Sequence, residues 1–345
     1  MSETVLVTGG RGYVAGWCII QLLERGYTVR ATLRSRSTEQ ALRAVIAEAV
    51  DPAERLSFVV ADLTSDEGWD DAVAGCDYVL HVASPLGLDS PGDKDALIGP
   101  ARDGALRVLA AATRARVKRV VMTSACAAAT PLMSSPDGIT DETAWSDPDD
   151  PSMTAYRKSK VVAEKAAWQF MKEQDGPTSL TTILPGAVFG PVLSADNLGS
   201  VQVIGRLLEG RIAGNPRIGF EVVDVRDLAD AHLRAMVSPA AAGERIIAAG
   251  EFLWTAQISA VLRESLGDAA SKVPTRNLPD FLVRLAARFN PEVKAIRPTL
   301  GRQHLHSSAK AERLLGWKAR PGAETVLACA QSLLDRNALS SGRSR

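Results

Sequence analysis

VLVTGGRGYVAG, residues 5–16, decides how the rest of the chain is read. A short apolar run over 5–8 is broken at once by glycines. A helical pattern over 13–25 follows, and Gly26 stops it. The spacing Gly9-x-x-Gly12-x-x-Ala15 puts glycine where a strand must turn sharply into a helix. Glycine lets the main chain turn tightly and come close to a pyrophosphate. The free N–H groups and positive dipole end of the helix then face the anion. Gly9, Gly12, Tyr13 and Val14 are therefore candidates for holding a dinucleotide. Ala15 is small enough to let the helix lie close on the strand. Alone, such a turn is weak evidence, and a purely structural turn is the plain alternative. At the first strand-to-helix junction of a βαβ unit it gains weight.

Outward from this turn, β-branched runs alternate with helical patterns. Strands are expected over 28–33, 56–60, 77–82, 119–123 and 181–184, and helices over 38–50, 102–116 and 156–174. Such alternation implies an α/β fold, a doubly wound Rossmann parallel sheet with helices on both faces. After about Pro185 the regularity falls, with Gly- and Pro-rich breaks such as GNPRIG and SPAAAG. The expected division is a dinucleotide-binding domain over 1–184, to which some later segments return. A smaller C-terminal substrate lobe, mainly 185–338, and a polar, disordered tail over 339–345 complete it.

With 345 residues, 46% of them apolar, the chain can bury a large core. Lys plus Arg and Asp plus Glu number 40 each, a balance that gives no reason to expect nucleic acid or an anionic membrane as partner. No uncharged apolar run reaches the roughly 18 residues of a membrane span. The N-terminus enters a strand at once and shows no secretion signal. Cys18, Cys76, Cys126 and Cys329 are scattered, with no CxxC pair, and read as reduced thiols of a cytoplasmic protein. The expected state is a monomer or homodimer, and no metal site is expected.

The end of the second strand bears on the cofactor. An NAD site usually places a carboxylate about 20 residues after the glycines. Here the strand ends in Arg34-Ser35-Arg36-Ser37, with no acid before Glu39. A guanidinium there suits a 2′-phosphate through charge-assisted bonds, which favours NADP(H). The alternative is that both arginines are solvated surface charges. Asp62 and Leu63 follow the third strand, and Val82, Ala83 and Ser84 end the fourth, at the strand ends where ligands bind in parallel sheets. Asp62 reads equally well as a local cap, since Thr64 and Asp66 follow.

AYRKSK, residues 155–160, sets Tyr156 and Lys160 four apart, on one face of a helix. A phenol titrates near pH 10 and a neighbouring ammonium lowers that value. Tyr156 is thus the candidate proton donor and Lys160 its companion.

TGGRGYVAG, Arg34, Asp62-Leu63, HVASP, VVMTSA, AYRKSK and ILPGAVFGP together resemble the extended short-chain dehydrogenases/reductases, and more closely the dihydroflavonol reductase, cinnamoyl-CoA reductase and microbial aldehyde-ketone reductase group. The resemblance runs from Thr4 to about Trp317. It implies a hydride passed from NADPH to an aldehyde or ketone, with a proton from Tyr156. It also implies cofactor contacts at Arg34, Asp62, Leu63, Val82, Tyr156, Lys160, Pro185, Val188 and Ser200. One departure stands out. The group ends its fifth strand with two hydroxyl residues after Thr, the second bonding the substrate carbonyl, and that position falls here on Ala125. Ser124 is one residue early, which in a strand points to the other face. It serves only if the chain loosens after Thr123.

His81 reads as a satisfied core residue, and Trp145, Met153, Phe189 and Phe220 as packing before cleft lining. Besides a reductase acting on a small carbonyl substrate, two alternatives stay open. One is an NAD-dependent sugar-nucleotide epimerase or dehydratase. The other is a catalytically weak cofactor-binding regulator.

Overall fold

The computed structural model describes residues 2–85, 97–196 and 198–339. All but the first residue of the tail over 339–345 lies outside them; Leu339 itself packs on the C-terminal core.

Seven parallel strands form the central sheet. Across it run Leu56–Val60, Thr28–Leu33, Thr4–Val7, Tyr78–His81, Arg119–Thr123, Ser179–Pro185 and Arg245–Ala248. The order reverses direction between Thr4–Val7 and Tyr78–His81, which opens a crevice at their carboxyl ends. Alternation along each strand builds two cores. Val5 and Val7 join Ile19, Leu22, Leu228 and Leu233 of helices Tyr13–Glu24 and Val225–Val237 on one face. Leu6, Val120 and Met122 join Val108, Leu109 and Ala163 of helices Ile98–Arg114 and Ala155–Lys172 on the other. A fully buried side chain such as Leu6 contributes roughly 2 kcal/mol relative to exposure.

The expected strands over 28–33, 56–60 and 119–123 are present with those bounds. The helix expected over 38–50 is shorter, Glu39–Ala47: Arg36–Thr38 winds as a 3-10 turn before it, and the helix ends at Ala47. The strand Arg245–Ala248 was not foreseen: all four of its residues are buried, so it lacks the alternation that marks a half-exposed strand. Phe252–Trp254, Gly219–Asp224 and Ala187–Phe189 make a three-stranded sheet over a core of Phe189, Ile204, Leu207, Ile258 and Val326. His304–His306 pairs in parallel with Gly138–Thr140.

Candidate active site

At the first turn, Gly9 has φ +69°, a value that disfavours any side chain, and a Cβ there would lie 2.9 Å from that of Ala83. The loop is pinned from below: Thr32 Oγ1 accepts from Gly9 N at 2.8 Å, and the Thr32 carbonyl accepts from Gly10 N at 2.9 Å. Gly12 opens the helix with extended backbone and no side-chain cap. The first intrahelical bond is Gly16 N to Gly12 O at 3.0 Å, which leaves the amides of Tyr13, Val14 and Ala15 ahead of it. Tyr13 has no free hydroxyl to offer a ligand. Its hydroxyl donates to the Gly190 carbonyl at 2.8 Å, and burial pushes its phenol well above the ordinary value.

Thr8 ties this turn to the fourth strand. Its Oγ1 accepts from Val82 N at 3.1 Å and Ala83 N at 3.0 Å. Its proton therefore goes to His81 Nδ1, 3.0 Å away. His81 is the satisfied core residue expected; burial holds it neutral, with its pKa pushed down to about 3. Ser84 follows, half-buried.

Arg34, Ser35, Arg36 and Ser37 are all exposed at the end of the second strand. Asp62 Oδ1 accepts from both Thr64 N at 2.8 Å and Thr64 Oγ1 at 2.7 Å, so its local capping role is real. These bonds hold its carboxyl below the usual range, and the Arg34 charge adds to the effect. The half-buried Leu63 is fixed through its carbonyl by Arg107, at 2.8 Å. Pro185 ends its strand in register with Ala248, and Ser200 donates to the Val188 carbonyl, which brings those two positions together.

Thr154 caps helix Ala155–Lys172 by accepting from Arg157 N at 3.3 Å, and Tyr156 and Lys160 stand on its first turns. Tyr156 is 40% exposed, whereas Lys160 is 6% exposed. Lys160 Nζ lies 5.9 Å from the Tyr156 ring centre and donates to the Thr123 carbonyl at 3.5 Å. Burial lowers the Lys160 ammonium to about 8, against the opposing pull of Glu164. The expected lowering of the phenol is not found. Desolvation by surrounding protein raises Tyr156, while the Lys160 ammonium gives its hydrogen bond to the Thr123 carbonyl. The phenol thus keeps its proton at neutral pH, the form a donor needs.

Ser124 is a correction. It is 2% exposed, and its hydroxyl donates to Glu164 Oε2 at 2.6 Å, beneath helix Ala155–Lys172. The chain does not loosen after Thr123: Ser124 N still bonds the Ile183 carbonyl at 2.7 Å, so the strand's alternation turns its side chain inward. Thr123 is occupied as well. His232 Nδ1 donates to the Leu228 carbonyl at 2.8 Å, so His232 Nε2 accepts from Thr123 Oγ1 at 2.7 Å. With Ala125 next, none of residues 123–125 presents a free hydroxyl at the end of the fifth strand.

Sequence reasoning missed what lies under the helix. Glu164, fully buried, also accepts from Thr182 Oγ1 and Arg245 Nε, both at 2.8 Å. Arg245 Nη1 bonds the carbonyls of Glu142 at 2.6 Å and Ala144 at 2.8 Å, and its guanidinium stacks 3.6 Å from the Trp145 ring centre. Only Glu164 had a usable signal, its i+4 spacing from Lys160. Trp145 is thus a platform for Arg245, and Phe189 packs edge-on against Phe220 at 5.9 Å.

Residues 5–250 match the model of the NAD dependent epimerase/dehydratase family. A cinnamoyl-CoA reductase 1 of Arabidopsis thaliana is 37% identical, covering 71% of this chain and 70% of its own. A dihydroflavonol 4-reductase of Hordeum vulgare is 35% identical over 70% of this chain and 69% of its own. Among solved structures, yeast methylglyoxal/isovaleraldehyde reductase Gre2, complexed with NADPH, superposes with a TM-score of 0.80 at 25% identity, covering 97% of this chain and 99% of that one. No helix among the described residues is long and apolar enough to cross a membrane.

Proposed function

Because the chain belongs to the NAD dependent epimerase/dehydratase family, where it is similar to reductases, we propose that it reduces an aldehyde or ketone with NADPH, with Tyr156 as proton donor. The observation that carries this reading is the pairing of an open, protonated Tyr156 with a buried Lys160 beside the end of the fifth strand. The residues around the crevice suit the cofactor. Gly9 and Gly12 would let a pyrophosphate approach the main chain, the amides of Tyr13 and Val14 would hold it, and Arg34 offers a cation where an NAD site would hold a carboxylate. Bound there, NADPH would supply a hydride for the carbonyl carbon. Tyr156 gives its proton to the carbonyl oxygen, and the Lys160 ammonium stabilises the phenolate left behind. Solvent then returns the proton to Tyr156.

Turnover tests this directly. Loss of NADPH absorbance with a panel of aliphatic and aromatic aldehydes and ketones is the expected result, and NADH should serve less well. Arg34→Ala should weaken NADPH binding about tenfold and leave NADH unchanged. Tight co-purified NAD without NADPH turnover would favour an epimerase or dehydratase instead. NADPH binding with no turnover on any carbonyl would favour a regulator, a reading to which the missing hydroxyl over 123–125 lends its only support.

A further inference from the structure

Cys126 opens the 3-10 turn Cys126–Ala128, Glu221 lies in strand Gly219–Asp224, and His306 ends strand His304–His306. A sulfur, a carboxylate oxygen and a ring nitrogen from the three lie within 4.8 Å of one another. All are shielded: Cys126 is 6% exposed, and the side chains of His306 and Glu221 are 4% and 10% exposed.

The hydrogen bonds fix what stands between them. Thr130 Oγ1 gives its one proton to the Cys126 carbonyl at 2.8 Å. It must therefore accept from His306 Nε2, 3.1 Å away, which places a proton on that nitrogen. His306 Nδ1 then faces Glu221 Oε2 at 2.5 Å. Two lone pairs do not face each other at that separation, so a proton lies between them. The other oxygen, Oε1, is held by the His306 backbone N–H at 2.6 Å.

We propose that Cys126 Sγ, Glu221 Oε2 and His306 Nδ1 bind a divalent cation of the zinc class, with a solvent oxygen as fourth ligand. Sulfur, nitrogen and oxygen donors together suit zinc among common divalent ions. Bonds of about 2.0–2.3 Å set tetrahedral ligands about 3.3–3.8 Å apart, so Nδ1 and Oε2 must part by about 1 Å. Outer contacts are already in place, with Thr130 on Nε2 and the backbone amide on Oε1, as metal-bound His and carboxylate groups require. The ion displaces the thiol proton and the proton between Nδ1 and Oε2, both released to solvent. Thiolate and carboxylate then balance its two charges, and no electron moves.

A nucleophilic Cys–His–Glu arrangement does not fit. The Cys126 thiol donates to the Leu184 carbonyl at 3.2 Å, and the free edge of His306 is on Thr130. Burial and the charges of Glu221, Glu142 and Glu164 keep this thiol protonated, a balance that a dication set among those carboxylates reverses.

The test uses the full chain, stripped with chelator, given equimolar zinc, dialysed and analysed for metal. About one zinc per chain is expected, with Cys76→Ser, which changes a buried thiol elsewhere, retaining it. Cys126→Ser and Glu221→Gln should each lose at least nine-tenths. Cobalt(II) added to the unmutated chain should show a thiolate charge-transfer band, a readout that needs no variant to fold. Less than a tenth of a zinc per chain, no such band, or full zinc retention in Cys126→Ser would overturn the proposal.

Discussion

The ends of the first and fifth strands meet the same crevice but equip it differently. At the first, the hydroxyl of Thr8 turns inward to hold Val82 and Ala83, and the ligand is offered main-chain amides. At the fifth, the hydroxyls of Thr123 and Ser124 also turn inward, to His232 and Glu164, and the next residue is Ala125. Losing side chains to internal bonds leaves the first end intact, because its chemistry is in the backbone. It strips the fifth end of a donor and, under the proposed function, leaves proton transfer to Tyr156. Binding by amides survives changes of side chain; catalysis by hydroxyls does not.

The sharpest test of this contrast is Tyr156→Phe. It should lower turnover by about 1,000-fold or more while NADPH affinity, measured by fluorescence titration, stays within about twofold. Next comes pH. Above about pH 8 the buried Lys160 ammonium loses its proton, so turnover should fall by up to about tenfold per unit there. Stability should move the other way. The folded pKa lies below the ordinary 10.5, so between about 8 and that value the unfolded chain binds more protons and this group's contribution improves as pH rises. A pH series of turnover and thermal melts separates the two trends. Gly9→Ala should weaken NADPH binding about tenfold, since it combines a disfavoured φ with a clash against Ala83. Smallest is Ser124→Ala, which should change turnover less than about threefold yet destabilise the fold by about 1–3 kcal/mol in denaturant titration, by removing a bond to buried Glu164. Ala125→Ser, by supplying the missing donor, should raise turnover.

What was legible in the sequence was local. Gly9 and Gly12 report a backbone need, and the Tyr156–Lys160 pair follows from helical spacing, so both could be read in a few residues. The doubt over Ser124 was legible too, since alternation along a strand is a local rule. Arg245 was not, because a four-residue buried strand has no period and its partners Glu142, Ala144 and Glu164 come from elsewhere in the chain. The same holds for Cys126, Glu221 and His306, brought together only when two small sheets close on the large one. The direction of the Tyr156 shift also escaped, because it is set by how far the surrounding protein desolvates the phenol, which the spacing of two residues does not report.

Arg245 sets a condition on how the protein can be made and divided. It neutralises Glu164 from the outermost strand of the sheet, and that strand is built only after most of the chain has been synthesised. A fragment ending at residue 184 would carry the glycine turn, Tyr156 and Lys160, but the buried Glu164 carboxylate would have lost the guanidinium paired with it. A buried ion stripped of its partner commonly costs about 3–5 kcal/mol. Residues 1–184 should therefore fail as a free-standing module, and a nascent chain should gain a finished helix Ala155–Lys172 only once residue 245 has cleared the ribosome.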